Sequence, residues 1–310
     1  MKRFWLSGAA LVVVSACNGG NPWIEDDDNG NGATPAPTVP EELIGDLDGV
    51  TYDPVAKTLT VTGVSLDNTP YEAVYTRKPG LDRNGYEAYT NQDGSLDRHT
   101  TAYVGEMNGT QATIVMTGGQ FGHYFGGSTY SRSGTYSAPA IGQSAISGQE
   151  NSGSVTYAGN YVGLLNGPGD GGDLKAVTTG TSNDVRPVQA GEVTGRVLIN
   201  ADFADTTVNG LVYDRVFVDS SGTAMENLEL SPTEIATDGT FVGAATQKSG
   251  ASDVGTYGGV FGGTGATEVA GTLFVHDHIT ALDNEEEYGL FVLGQCGTAN
   301  ADSLCNQPNP

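Results

Sequence analysis

At 310 residues the chain is long enough for one large or two small domains, and with 37 acidic against 13 basic residues it carries a net charge of −24. Nucleic-acid binding needs basic stripes that neutralise phosphate, and docking on an anionic bilayer needs a basic surface, so both are excluded. Glycine is abundant, at 46 residues, while only 16% of residues are charged and 37% are apolar. This Gly-, Thr-, Tyr- and Val-rich mixture predicts β structure rather than helix.

Lys2 and Arg3 precede an apolar run over 4–14, too short to span a bilayer. The run ends in Val14-Ser15-Ala16-Cys17. Small residues just before a cysteine at this place resemble the lipobox of bacterial lipoproteins. That resemblance implies removal of residues 1–16 as a signal peptide and acylation of Cys17. Each buried methylene contributes ~0.8 kcal/mol, so three acyl chains would hold the protein on a membrane almost permanently. Asn18, rather than Asp, follows the cysteine, which favours the outer membrane. The cell surface and the periplasmic face both stay open.

Residues 17–46 are expected to form a flexible tether. Asp26, Asp27 and Asp28, then Asn-Gly repeats, then Pro35, Pro37 and Pro40 leave little apolar surface to pack. Asp27, Asn29, Asn31 and Gly32 match the start of a calcium loop, but Thr38 stands where the closing glutamate belongs. A solvated acidic spacer is the better reading.

From Leu47 onward short alternating runs are separated by Gly, Asn-Gly, Asp-Gly and Ser-Gly signals, and the pattern is all-β. Residues 47–138 read as a first β unit, with runs near 49–64, 71–75, 86–89, 99–104, 110–117 and 129–136. The boundary falls at 137–151, rich in Ser, Gly and Ala. Residues 150–295 then carry strands near 154–165, 192–203, 207–217, 228–236, 239–247, 255–262, 267–276 and 288–295. In the clearest of them, Val193, Gly195, Val197, Ile199, Ala201 and Phe203 face one side, with Leu198 an apolar exception on the other. Short loops imply an up-and-down meander, and eight antiparallel strands with one apolar face close into a small, filled barrel. With Cys17 lipidated in an oxidising compartment, Cys296 and Cys305 are left to form one disulfide, closing the tail 296–310 onto the last strand.

The run Gly255-Thr-Tyr-Gly-Gly-Val-Phe-Gly-Gly-Thr-Gly-Ala-Thr-Glu-Val-Ala-Gly271 resembles the signature hairpin of transferrin-binding protein B barrels. The runs 154–163 and 239–243 resemble other strands of that barrel, which factor H-binding protein shares. The resemblance covers about half the chain. It implies a lipid-anchored barrel of eight antiparallel strands preceded by a handle-like antiparallel sheet. Tyr257, Phe261, Ala266, Glu268 and Gly271 carry the motif and are expected to serve hairpin and core rather than a ligand. Gly263-Thr264 stands where the family often has proline, and only one barrel is predicted.

The chain has no Gly-x-Ser-x-Gly elbow, no His-Glu-x-x-His and no phosphate loop, and nothing calls for a cofactor. His276 and His278 are two apart and would share a face of a strand, near Asp283 and Glu285–Glu287, so they are weak metal candidates. Two solvated loop-edge histidines are the plainer reading. Asp170 and Asp173, in Gly167-Pro-Gly-Asp-Gly-Gly-Asp173, look like half a calcium-binding β-roll repeat, but no tandem copies follow. A long hairpin loop is expected there. The tyrosine-rich stretch 120–136 is expected to pack between handle and barrel. The sequence therefore points to a non-enzymatic outer-membrane lipoprotein that binds a protein or small nutrient ligand through its loops. A structural envelope protein facing the periplasm and a secreted-type hydrolase are the rivals.

Overall fold

Alternation of apolar and polar residues builds two antiparallel sheets. The computed structural model describes residues 37–119, 124–142, 152–219, 222–247, 253–280, 282–308 and 310. The signal segment, Cys17, the calcium-like run Asp27–Gly32 and His123 lie outside the described residues. Residues 35–310 form one compact unit.

The first sheet is a meander of seven strands: β1 (Leu47–Asp53), β2 (Thr58–Val64), β3 (Pro70–Arg77), β4 (Glu87–Asn91), β5 (Thr100–Met107), β6 (Thr110–Thr117) and β7 (Gly126–Arg132). It curls until Asp46 N donates to Gly126 O (2.9 Å), so the sheet is nearly closed. The run expected over 49–64 is two strands. Val55 and Ala56 amides donate to Asp53 Oδ1 at 2.8 and 2.9 Å, and this Asp-Pro turn reverses the chain.

A two-residue strand, β8 (Tyr136–Ser137), runs parallel to a barrel strand. The barrel follows: β9 (Ser154–Pro168), β10 (Ala190–Asp202), β11 (Thr207–Phe217), a short β12 (Thr223–Ala224), β13 (Leu228–Glu234), β14 (Thr240–Gln247), β15 (Asp253–Thr264), β16 (Glu268–His276) and β17 (Glu286–Gly294). Leaving β12 aside, each strand pairs with its sequence neighbour and β17 pairs back onto β9, which closes eight strands. All eight barrel strands predicted from the pattern are present. Inward residues fill the interior, Val193, Val197, Ile199 and Phe203 among them, with Tyr157, Phe241, Phe261 and Phe291.

A second core lies between the sheets, with Leu43, Tyr103, Tyr130, Val260 and Leu290 buried in it. Tyr130 thus packs in the seam, while residues 120–123 lie outside the described chain. Residues 41–44 correct the expected tether. They form a helical turn, α1 (Glu41–Ile44), and Leu43 is fully buried. Leu43 anchors the turn, Val39 and Ile44 pack beside it, and the Ser128 hydroxyl donates to Leu43 O (2.8 Å). Side chains also join the sheets. The β9–β17 ladder stops at the pair Leu290–Val162. Beyond it the Tyr86 hydroxyl donates to Asn160 O (2.6 Å) and accepts from Val292 N (3.1 Å), supplying the missing rung.

Leu198 faces outward but is buried with Ala158 and Tyr213 under the tail, where Leu304 covers it. Cys296 and Cys305 are disulfide-bonded, with Cα atoms 5.5 Å apart. Replacing both by serine is expected to cost about 2–3 kcal/mol. Thermal unfolding of that variant should stay cooperative at a lower midpoint, and protease should trim the tail first.

Candidate functional site

Because both sheets run up and down, their turns alternate between two ends. One end gathers handle loops 65–69 and 92–99 with barrel loops 169–189 and 277–285. The long barrel loop is not loose, because it crosses onto the handle. Asp173 accepts from Lys78 Nζ (2.8 Å), Thr90 Oγ1 (2.7 Å) and His99 Nε2 (3.0 Å). Lys175 N donates to Gln92 Oε1 at 2.8 Å. Asp173 is thus committed to the handle. Asp170 instead accepts from Gly172 N (2.7 Å), so the two carboxylates of the β-roll-like run serve separate partners.

Burial pushes the His99 imidazole down, against the pull of Asp173. Burial acts to raise Asp173, but hydrogen bonds from His99, Lys78 and Thr90 outweigh it and hold the carboxyl below its ordinary value. Both shifts weaken the latch in acid. Above the ordinary histidine value of 6.5, His99 is neutral docked or undocked. As pH falls below that value, the undocked imidazole takes a proton that the docked one refuses. Below the ordinary carboxylate value of 3.8, undocked Asp173 protonates first as well. Protection factors of 169–189, taken relative to the intrinsic exchange rate at each pH, should therefore fall several-fold between neutral pH and about pH 5 while those of the barrel strands hold. His99→Gln should remove this step.

Two open grooves flank Arg98. The larger, about 620 Å³, has Tyr71 and Phe125 in its floor and Leu66 and Leu96 on its rim. The second, about 420 Å³, shares Leu96 and Arg98 and reaches Val185 on the barrel loop. Leu66, Leu96 and Val185 are exposed, at 41%, 55% and 58%, so apolar surface collects at this end.

Beneath the neighbouring loop, the barrel holds a buried polar cluster that the sequence reading missed. Arg215 NH2 meets Glu287 Oε2 at 2.6 Å, and both side chains are fully buried. His278 Nε2 lies 3.1 Å from the same oxygen, and Tyr161 donates its hydroxyl to the other one. Burial works against ionising Glu287, but Arg215 and His278 outweigh it and hold its carboxyl well below the ordinary range. His276 and His278 do not share a face. Asp277 adopts φ +48° and turns the chain, leaving His276 half-exposed beside Asp277 while His278 points inward. His278 is therefore not a solvated loop-edge residue. Among the described residues no group of three or more His, Cys, Asp or Glu is placed to hold a metal.

The motif residues lie away from the grooves. Tyr257 donates to Ser231 O (2.6 Å) across the interior, and Phe261 packs against Phe203 and Phe241. Ala266 takes φ +53° in the turn, and its carbonyl accepts from the Tyr157 hydroxyl. At Gly271 a Cβ would meet the Phe291 ring at 2.4 Å and Gly258 O at 2.6 Å, so only glycine fits. Glu268 is a staple. It accepts from Asn108 of the handle (2.6 Å), Asn300 of the tail (3.3 Å) and Thr267 (2.8 Å).

No family model matches the sequence, and no curated protein matches it. Solved structures do. A double mutant of transferrin-binding protein B from Haemophilus parasuis is 12% identical, with 79% of this chain and 52% of that one covered at a TM-score of 0.37. Isotype 1 transferrin-binding protein B from serogroup B Neisseria meningitidis is 13% identical, covering 80% and 52% at a TM-score of 0.29. A protein of unknown function from Nostoc punctiforme is 11% identical, covering 80% and 87% at 0.24. The chain spans about half the length of the transferrin-binding proteins it matches.

Proposed function

We propose that this chain is a non-enzymatic lipoprotein, anchored in the outer membrane through Cys17, that binds a protein or nutrient ligand through its loop end. In this reading residues 1–16 are the removed signal. The tether is 17–46, with its turn 41–44 docked on the head. The sheet 47–138 and the barrel 150–295 form the binding head, and 296–310 the clamped tail. The observation that carries the reading is the apolar surface on Leu66, Leu96 and Val185, beside two open grooves, one among the handle loops and one between them and the barrel loop. Loops on a rigid scaffold are where recognition sites are found, and exposed apolar patches mark interaction surfaces.

Two experiments test it. Cys17→Ser is expected to move the protein from the membrane fraction to the soluble fraction and to abolish labelling by a fatty-acid analogue. Retention in the membrane would contradict the anchor. A pull-down from growth medium should compare the wild-type head with the double variant Leu66→Ser, Leu96→Ser. The reading expects species captured by the wild type to be lost from the variant, and equal capture would contradict it.

A further inference from the structure

The larger groove has a chemical character of its own. Its floor is the half-buried Tyr71, which packs on the buried Phe125 with ring centroids 4.7 Å apart, at a tilt of 50°. Three carboxylates, Asp67, Asp93 and Asp97, share the lining with one cation, Arg98. Asp67 is occupied by Ser65 and Thr69, which donate to it, and Asp97 accepts from Gly94 N. Asp93 is different. Among the described residues its carboxylate has no hydrogen bond or ion pair; Lys175 instead holds its backbone carbonyl, at 2.8 Å. The negative charge of Asp93 is felt at Tyr71, whose hydroxyl is raised by burial first and by Asp93 in addition.

We propose that this groove binds a small organic cation: an amine or quaternary ammonium carried on an apolar or aromatic body. The inference rests on the loop end being the binding face and names the ligand class for one part of it. Three features converge on that class. The volume of about 620 Å³ suits a small molecule. The half-buried Tyr71 ring, backed by the buried Phe125, attracts a cation through its quadrupole, and the effect grows as water is excluded. A lining with more carboxylates than cations favours a positive ligand over a negative one. Leu66 and Leu96 at the rim would cover the apolar body.

The purified chain provides the test, with benzyltrimethylammonium as probe and phenylacetate as its anionic counterpart. Calorimetry or ligand-observed resonance experiments should show saturable binding of the cation with a Kd below about 1 mM, and none of the anion. Asp93→Asn should weaken the cation about two- to fivefold. Tyr71→Leu, which keeps apolar bulk but removes the aromatic face, should weaken it about tenfold. Asp93 is exposed, so its variant should keep the wild-type melting temperature, and it decides the matter should the Tyr71 variant not fold. No saturable cation binding, equal binding of phenylacetate, or an Asp93→Asn variant of unchanged affinity would each overturn the proposal. Failure here is distinct from failure of the receptor reading. A surface-exposed protein that ignores the cation sinks only this inference. A cation-binding protein buried in the periplasm sinks only the surface receptor.

Discussion

Replacing Arg215 by methionine is expected to destabilise the barrel by about 3–5 kcal/mol. The guanidinium and Glu287 are both fully buried, so removing one leaves the other charge desolvated and unpaired. His278 and Tyr161 soften that loss, because both keep their contacts with Glu287. The double variant Arg215→Met, Glu287→Leu should recover part of the stability: no buried charge is then left unpaired, but His278 and Tyr161 lose their acceptor. Urea unfolding measures all three proteins. A single variant within about 1 kcal/mol of wild type would mean that water reaches the cluster. The same cluster gives a pH dependence. Glu287 is held below its ordinary 4.5, so its contribution is full above that value and is lost as pH falls through the lower folded value.

Glu268→Ala is expected to cost about 2–4 kcal/mol and to loosen three elements together. Its carboxylate collects donors from the handle turn, the tail and its own hairpin, and only 3% of it is exposed. The alanine leaves the Asn108 and Asn300 amides without their acceptor. Glu268→Gln keeps the shape and should cost less. Hydrogen exchange should show loss of protection at 108–110 and 296–301 together, and loss confined to the hairpin would refute the staple.

The two variants mark what the sequence could and could not reveal. Barrel strands were legible because their inward faces alternate with period two and their turns carry Gly or Asp. The position of Glu268 was legible through its motif, yet its bonds to Asn108 and Asn300 were not, since they join residues 160 and 32 positions apart. Arg215 was hidden by a register shift. Between Thr194 and Arg196 of β10, strand β11 advances from Val216 to Tyr213, one residue too many, and Asp214 takes φ +50°. That bulge flips the alternation set by the inward Val208 and Val212, so Arg215 turns in rather than out. Leu198 did show as an exception, and only the tail explains it. The Asp173 latch joins residues 74 and more apart and left no local mark, because a Gly-rich loop looks alike docked or free. The larger groove lies among loops of the first sheet and the second where such loops meet the barrel loop at 183–188, and spacing along the chain encodes neither meeting.

The central claim, a surface-anchored binding head, is tested most directly by protease shaving of intact cells carrying a tagged copy, with a periplasmic protein as control. The expected result is digestion of the head while the control stays whole. Protection until the outer membrane is opened would contradict the surface receptor and leave a structural envelope protein facing the periplasm as the reading.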